Sequence, residues 1–202
     1  MQISRIASSL AVAAAVAGSA LAMSASPASA AGGNVVDASG TSRGTVTASP
    51  SLVNVCDFSA DGVTVSVEYL FADGTSGKRI APLGGCTPAQ GLSSPIVAVR
   101  GFAGTFANPW IAVPGDAAAD GSVKDAAGTY RGSVTASPSL VNVCDNNADG
   151  VTVSVEYLFA DGTSGKRIAP LGGCTPAQAF GSPIVAVRGF ADTYANAWQP
   201  VA

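Results

Sequence analysis

The chain states one segment twice. Arg43 to Trp110 returns as Arg131 to Trp198, displaced by 88 residues, and only nine of the 68 paired positions differ. Ala60 to Gln90 is reproduced without a change at Ala148 to Gln178. Copies this close must fold alike, so the unit to be explained is about half the chain, used in tandem.

What precedes and separates the copies sets the boundaries. Residues 1–30 read as a secretory signal peptide: Arg5, an Ala/Val/Leu-rich stretch from Ala7 to Met23, then the small-residue site Ala28-Ser29-Ala30. The alanine-rich leader resembles those of proteins exported by high-GC Gram-positive bacteria. Cleavage before Ala31 leaves repeat 1 (31–113), a linker (114–121) and repeat 2 (122–202). The linker, Pro114-Gly115-Asp116-Ala117-Ala118-Ala119-Asp120-Gly121, is small, polar and broken by Pro and Gly. Fully extended it reaches about 26 to 29 Å, which keeps the two units close. No later segment is apolar enough to span a bilayer, so the expected location is secreted and extracellular.

Loss of the leader removes Arg5 and leaves nine basic against thirteen acidic side chains. A mildly acidic chain without a basic run has no electrostatic footprint for nucleic acid or for an anionic membrane surface. Expected partners are an extracellular protein or a polysaccharide.

Two cysteines recur per copy at one spacing: Cys56 and Cys86, then Cys144 and Cys174. Of the three possible connectivities, pairing within a copy is preferred, because each unit had to be self-sufficient before duplication. A unit of about 80 residues buries too little apolar surface to do well without such a staple. Zinc is disfavoured, since the chain contains no histidine.

Val63-Thr64-Val65-Ser66-Val67-Glu68-Tyr69-Leu70-Phe71 alternates with the period of two of a half-buried strand. Asp73-Gly74 and Gly77 supply a tight reversal, and Lys78 to Pro82 returns as the partner strand. Gly44 to Ala48, Ser51 to Cys56, Ile96 to Phe102 and Thr105 to Trp110 read as further strands. The expected fold is all-β: two tandem small antiparallel β-sandwiches, Ig-like or barrel-like, each with one disulfide. Simple up-and-down order would bring Cys56 beside Cys86.

Several groups are candidates for function. Asp145-Asn146-Asn147-Ala148-Asp149-Gly150 followed by Glu156 satisfies a calcium-loop expression, with Asp57, Ser59, Asp61 and Glu68 as the poorer first version. An extended Val151 to Tyr157 would carry Glu156 about 20 Å from the loop. Asp57, Asp61, Asp145, Asn147 and Asp149 therefore remain as a calcium site only with a ligand from elsewhere, and the preferred reading is a turn in which Asx side chains bond their own backbone. No other cofactor is expected. Lys78 and Arg79, repeated as Lys166 and Arg167, form a charged knob that serves either as a contact or as a solvated turn. Trp110 and Trp198 present either flat faces for a sugar ring or core closures. Arg100 and Arg188, set inside apolar strands, are expected to pair with Glu68 and Glu156 across the sheet.

Enzymatic chemistry is not expected, since the lack of histidine removes the Ser-His and Cys-His schemes. The run Val63-x-Val65-x-Val67-x-Tyr69, Asp73-Gly74-Thr75-x-Gly77 and Ala81-Pro82 resembles the central hairpin of the small secreted α-amylase inhibitors of the tendamistat type. That resemblance implies a six-strand fold and a hydrolase-inhibitor role. Those inhibitors use a Trp-Arg-Tyr triplet that this sequence lacks, and their cysteines are placed differently. The leading expectation is thus a secreted, non-enzymatic, bivalent binding or surface-interaction protein. The alternatives are a hydrolase inhibitor and a self-associating cell-surface structural protein.

Overall fold

The computed structural model describes residues 30–115 and 121–201. The signal-peptide reading and most of the linker lie outside them. Repeat 1 contributes β1 (Ala31–Val36), β2 (Ser42–Ser49), β3 (Leu52–Asp57), β4 (Val65–Phe71), β5 (Ser76–Ile80), β6 (Gln90–Gly91), β7 (Ile96–Ala103), β8 (Phe106–Ala107) and β9 (Ile111–Ala112). Repeat 2 contributes β10 (Ser122–Lys124), β11 (Tyr130–Ser137), β12 (Leu140–Asp145), β13 (Val153–Phe159), β14 (Ser164–Ile168), β15 (Gln178–Ala179), β16 (Ile184–Ala191), β17 (Tyr194–Ala195) and β18 (Gln199–Pro200). There is no helix among the described residues, and none there could cross a membrane.

Each repeat is a sandwich of two antiparallel sheets. One has the order β1-β2-β3-β6; the other has β5-β4-β7, with β8 and β9 both pairing to β7. Repeat 2 follows the same plan with β10-β11-β12-β15 and β14-β13-β16, joined by β17 and β18. Alternation explains the core: Val46, Val53, Val55, Val65, Val67 and Val99 point between the sheets and are buried. Val63, included in the strand pattern above, precedes β4, which starts at Val65.

β1 is the longest element of repeat 1 that the sequence reading missed, beside the two-residue strands β6 and β9. Ala31-Gly32-Gly33-Asn34-Val35-Val36 has too few apolar side chains to display a period, so tertiary pairing with β2 makes it a strand. Val35 anchors it, 1% exposed, and lies where a Cβ on Gly101 would have to go. Val123 of β10 stands over Gly189 in the same way. Here glycine permits a side chain of one sheet to approach the backbone of the other.

The cysteines bond within each repeat, Cys56 to Cys86 and Cys144 to Cys174. Each bridge ties the end of a core strand to the long loop after β5 or β14. Beside it the Asp57 amide donates to the Gly85 carbonyl at 2.8 Å.

Candidate functional site

Consecutive apolar residues mark strands covered on both faces. Ile96-Val97-Ala98-Val99 of β7 is such a run, all four buried. Ile96 and Val99 belong to the core of repeat 1, whereas Val97 and Ala98 belong to other clusters. A β-bulge produces this split: Leu70 pairs with Ala98 and Phe71 with Ile96, which leaves Val97 as the extra residue. The bulge turns Val97 out toward the side already occupied by Ala98. Val185 repeats the arrangement between Ala186 and Ile184.

These outward residues meet the other repeat. Val97 packs with Ala186 and Trp198, while Val185 packs with Ala98 and Trp110, and Leu70 and Leu158 border both clusters. The Trp110 amide donates to the Ala160 carbonyl at 2.7 Å, and the Trp198 amide donates to the Ala72 carbonyl at 2.7 Å. Apart from Ala112 at the border, each of these contacts has its twin 88 residues on, which is the signature of an isologous, two-fold interface. The domains clamp each other reciprocally.

Each tryptophan is oriented by its own sheet. The Arg100 guanidinium lies 4.7 Å from the Trp110 ring and 5.0 Å from that of Phe102, and its Nε donates to Glu68 Oε2 at 2.7 Å. Arg188, Trp198, Phe190 and Glu156 repeat this stack. Gly74, with φ of 88°, turns the hairpin so closely that a Cβ there would lie 3.1 Å from Arg188 Nη1 of the other repeat. Between the domains runs an open groove of about 340 Å³, lined by Glu68, Leu70, Gly74, Ser76, Arg100 and Trp110 and by the equivalents of all six in repeat 2.

Of the two readings of the tryptophans, sugar platform or closure, the burial agrees with closure, but against the other repeat rather than their own core: both are 8% exposed. The charged knob is also partly committed. Arg79 donates through Nη1 to the Val53 carbonyl at 2.7 Å and through Nη2 to that of Pro88 at 2.8 Å, and Arg167 Nη1 donates to Val141. Lys78 and Lys166 lie over Phe102 and Phe190.

The acidic loops hold themselves. Asp57 accepts from the Ser59 amide, and Asp61 accepts from the Val63 amide, the Ser59 hydroxyl and Arg43. Asp145 and Asp149 take the amides of Asn147 and Val151, and Asp149 also pairs with Arg131. Asn147 reaches Tyr130. Asp57 Oδ2 and Asp145 Oδ2 are buried without a hydrogen-bond partner among the described residues, and those residues gather no three His, Cys, Asp or Glu side chains fit to hold a metal.

Sequence reasoning also missed Asp37 and Asp125, which grip Arg43 and Arg131. The Ser39 hydroxyl and then Arg43 hold Asp37 far below the usual carboxylate range. Arg131 lowers Asp125, the Val63 amide lowers Asp61, and the Val151 amide lowers Asp149. Carboxylates depressed in the folded state stabilise it above their unfolded pKa of about 3.9, and that contribution fades as pH falls through their folded values. The melting temperature is therefore expected to be flat above about pH 5 and to drop below about pH 4. Arg43→Gln with Arg131→Gln should shallow the drop, and an unchanged slope in a pH series of thermal melts would refute this assignment.

At the disulfide end, large apolar side chains face solvent. Phe58, Ile80 and Leu83 are 58%, 60% and 58% exposed in repeat 1, and Ile168 and Leu171 are 59% and 63% exposed in repeat 2. Asn146 replaces Phe58, but Tyr130 replaces Ser42 on the adjoining strand and accepts from Asn146 Nδ2 at 2.6 Å. Each repeat so keeps an exposed aromatic beside its bridge.

No protein-family model and no curated protein matches the chain. Among solved structures, a two fibronectin type-III domain segment from chicken tenascin is similar at 10% identity, covering 82% of this chain and 96% of that one, with a TM-score of 0.25. The sandwich architecture described above rests on the strand pairings themselves.

Proposed function

We propose that the chain is an exported, non-enzymatic interaction protein whose two clamped sandwiches offer one apolar end twice to an extracellular protein partner. The observation that carries this reading is the exposed group at the disulfide end, Phe58, Ile80 and Leu83 with Tyr130, Ile168 and Leu171 as its counterpart. Clustered exposed side chains of this size mark interaction surfaces. A protein fits them better than a polysaccharide does, because the flat tryptophan faces a sugar would need are buried in the clamp. Two copies held in a fixed relation gain avidity for a partner that is itself repeated.

Pull-down from culture medium and cell-wall extracts with the chain 31–202 tests this. Recovery of a protein is expected, and Leu83→Asp together with Leu171→Asp should reduce its retention by at least about tenfold, with either change alone giving an intermediate loss. Retention on insoluble polysaccharide alone, or equal capture by the double variant, would overturn the reading.

A further inference from the structure

The residues that face each other across the clamp are the same residues. Leu70, Ala72, Gly74, Val97, Ala98 and Trp110 on one side are matched in identity by Leu158, Ala160, Gly162, Val185, Ala186 and Trp198 on the other. An interface whose two halves are identical, and whose contacts are reciprocal, does not distinguish repeat 1 from repeat 2. We infer that each repeat carries a self-complementary pairing face, whose partner is the same face of any copy, including one on a second chain.

Three further observations support it. Each repeat has its own core and its own disulfide, so nothing inside a sandwich depends on which repeat covers its outer face. The backbone bonds from Trp110 and Trp198 use main-chain groups that any copy supplies. The groove on the two-fold axis draws the same six positions from each side, so a lone repeat presents only half of it and any pairing completes it. At the clamp's border the copies do differ, Ala112 against Pro200, but both positions carry small apolar side chains beside the edge of β7 or β16.

In the intact chain the linker decides the outcome. It holds the faces at an effective concentration on the order of millimolar, so pairing within the chain prevails over pairing between chains in dilute solution. Cutting the linker removes that bias without altering either face. Two chains that exchange repeats would display the disulfide-end surface four times, a consequence that leaves the choice of external partner open.

A protease recognition sequence in place of Ala117 to Asp120, cut after the whole chain has folded, provides the test. The nicked protein is incubated below its melting temperature until its composition stops changing and is weighed by native mass spectrometry, where the two halves differ in mass. Redistribution to 1·1, 1·2 and 2·2 pairs near the statistical ratio of about 1:2:1 is expected. Leu70→Arg with Leu158→Arg should yield single halves instead, with the β circular dichroism unchanged. Persistence of 1·2 pairs alone, with halves shown to dissociate and rebind by isotope labelling, would overturn the inference, as would single halves from the unsubstituted chain. Neither result depends on capture of an external protein, so failure here is distinct from failure of the proposed function.

Discussion

Replacing Cys56 and Cys86 together by serine is expected to lower the stability of repeat 1 by about 3 to 4 kcal/mol. The bridge joins positions 30 apart in sequence, and opening it returns the closure entropy of that loop to the unfolded chain. A sandwich this small has little to lose, since single domains hold only about 5 to 15 kcal/mol in all. The duplication supplies an internal control: the segment from Ala60 to Gln90 is identical in repeat 2, so Cys144→Ser with Cys174→Ser should cost the same. Urea unfolding followed by circular dichroism is expected to become biphasic in either variant. About half of the amplitude should move to lower denaturant by roughly 2 M, given a slope of about 1 to 3 kcal/mol per molar for small domains. A single unshifted transition would mean that the bridges close loops already ordered by other contacts.

How much of this was legible in the sequence follows from which physical signals are local. Val65 to Phe71 alternates because one of its faces is core, and Asp73-Gly74 turns because glycine takes a positive φ there; both could be read without coordinates. The Arg100 to Glu68 pair was legible as well, since an arginine within an apolar strand needs a cross-strand partner. β1 was hidden because its glycines carry no pattern and its reason for being extended lies in Val35 settling over Gly101, a contact 66 residues away in sequence. The clamp was hidden for a related reason. Trp110 reads equally as a core closure or an open platform until the bulge at Val97 is known, and a bulge depends on the register between two strands. One signal did exist: four consecutive apolar residues at 96–99 and again at 184–187 exceed what a sandwich with one solvated face requires. Asp37 went unread because its role depends on Arg43 being shared with Asp61, and a shared arginine leaves no spacing signature.

Trp198→Ala is expected to open the clamp while leaving both sandwiches folded. The ring lies outside the core cluster of repeat 2 and is enclosed by Val97 and the Gly74 turn of repeat 1, so its loss of about 3 to 5 kcal/mol falls chiefly on the contact between domains. Arg188 would lose one of its two stacking partners at the same time, keeping Phe190. The chain contains only two tryptophans, and both belong to the clamp, so the variant carries its own reporter. As Val185 and the Ala160 turn withdraw from Trp110, its emission should shift to longer wavelength, and the radius of gyration in solution scattering should increase, while the β circular dichroism stays unchanged. Trp110→Ala, read through Trp198, should behave in the same way, because the two rings occupy equivalent places about the two-fold axis. If the remaining tryptophan keeps its emission and the molecule its dimensions, each ring closes only its own repeat. The face-to-face pairing would then have to rest on the small residues Val97, Ala98, Val185 and Ala186 with the two leucines, a surface with far less apolar area to withdraw from water.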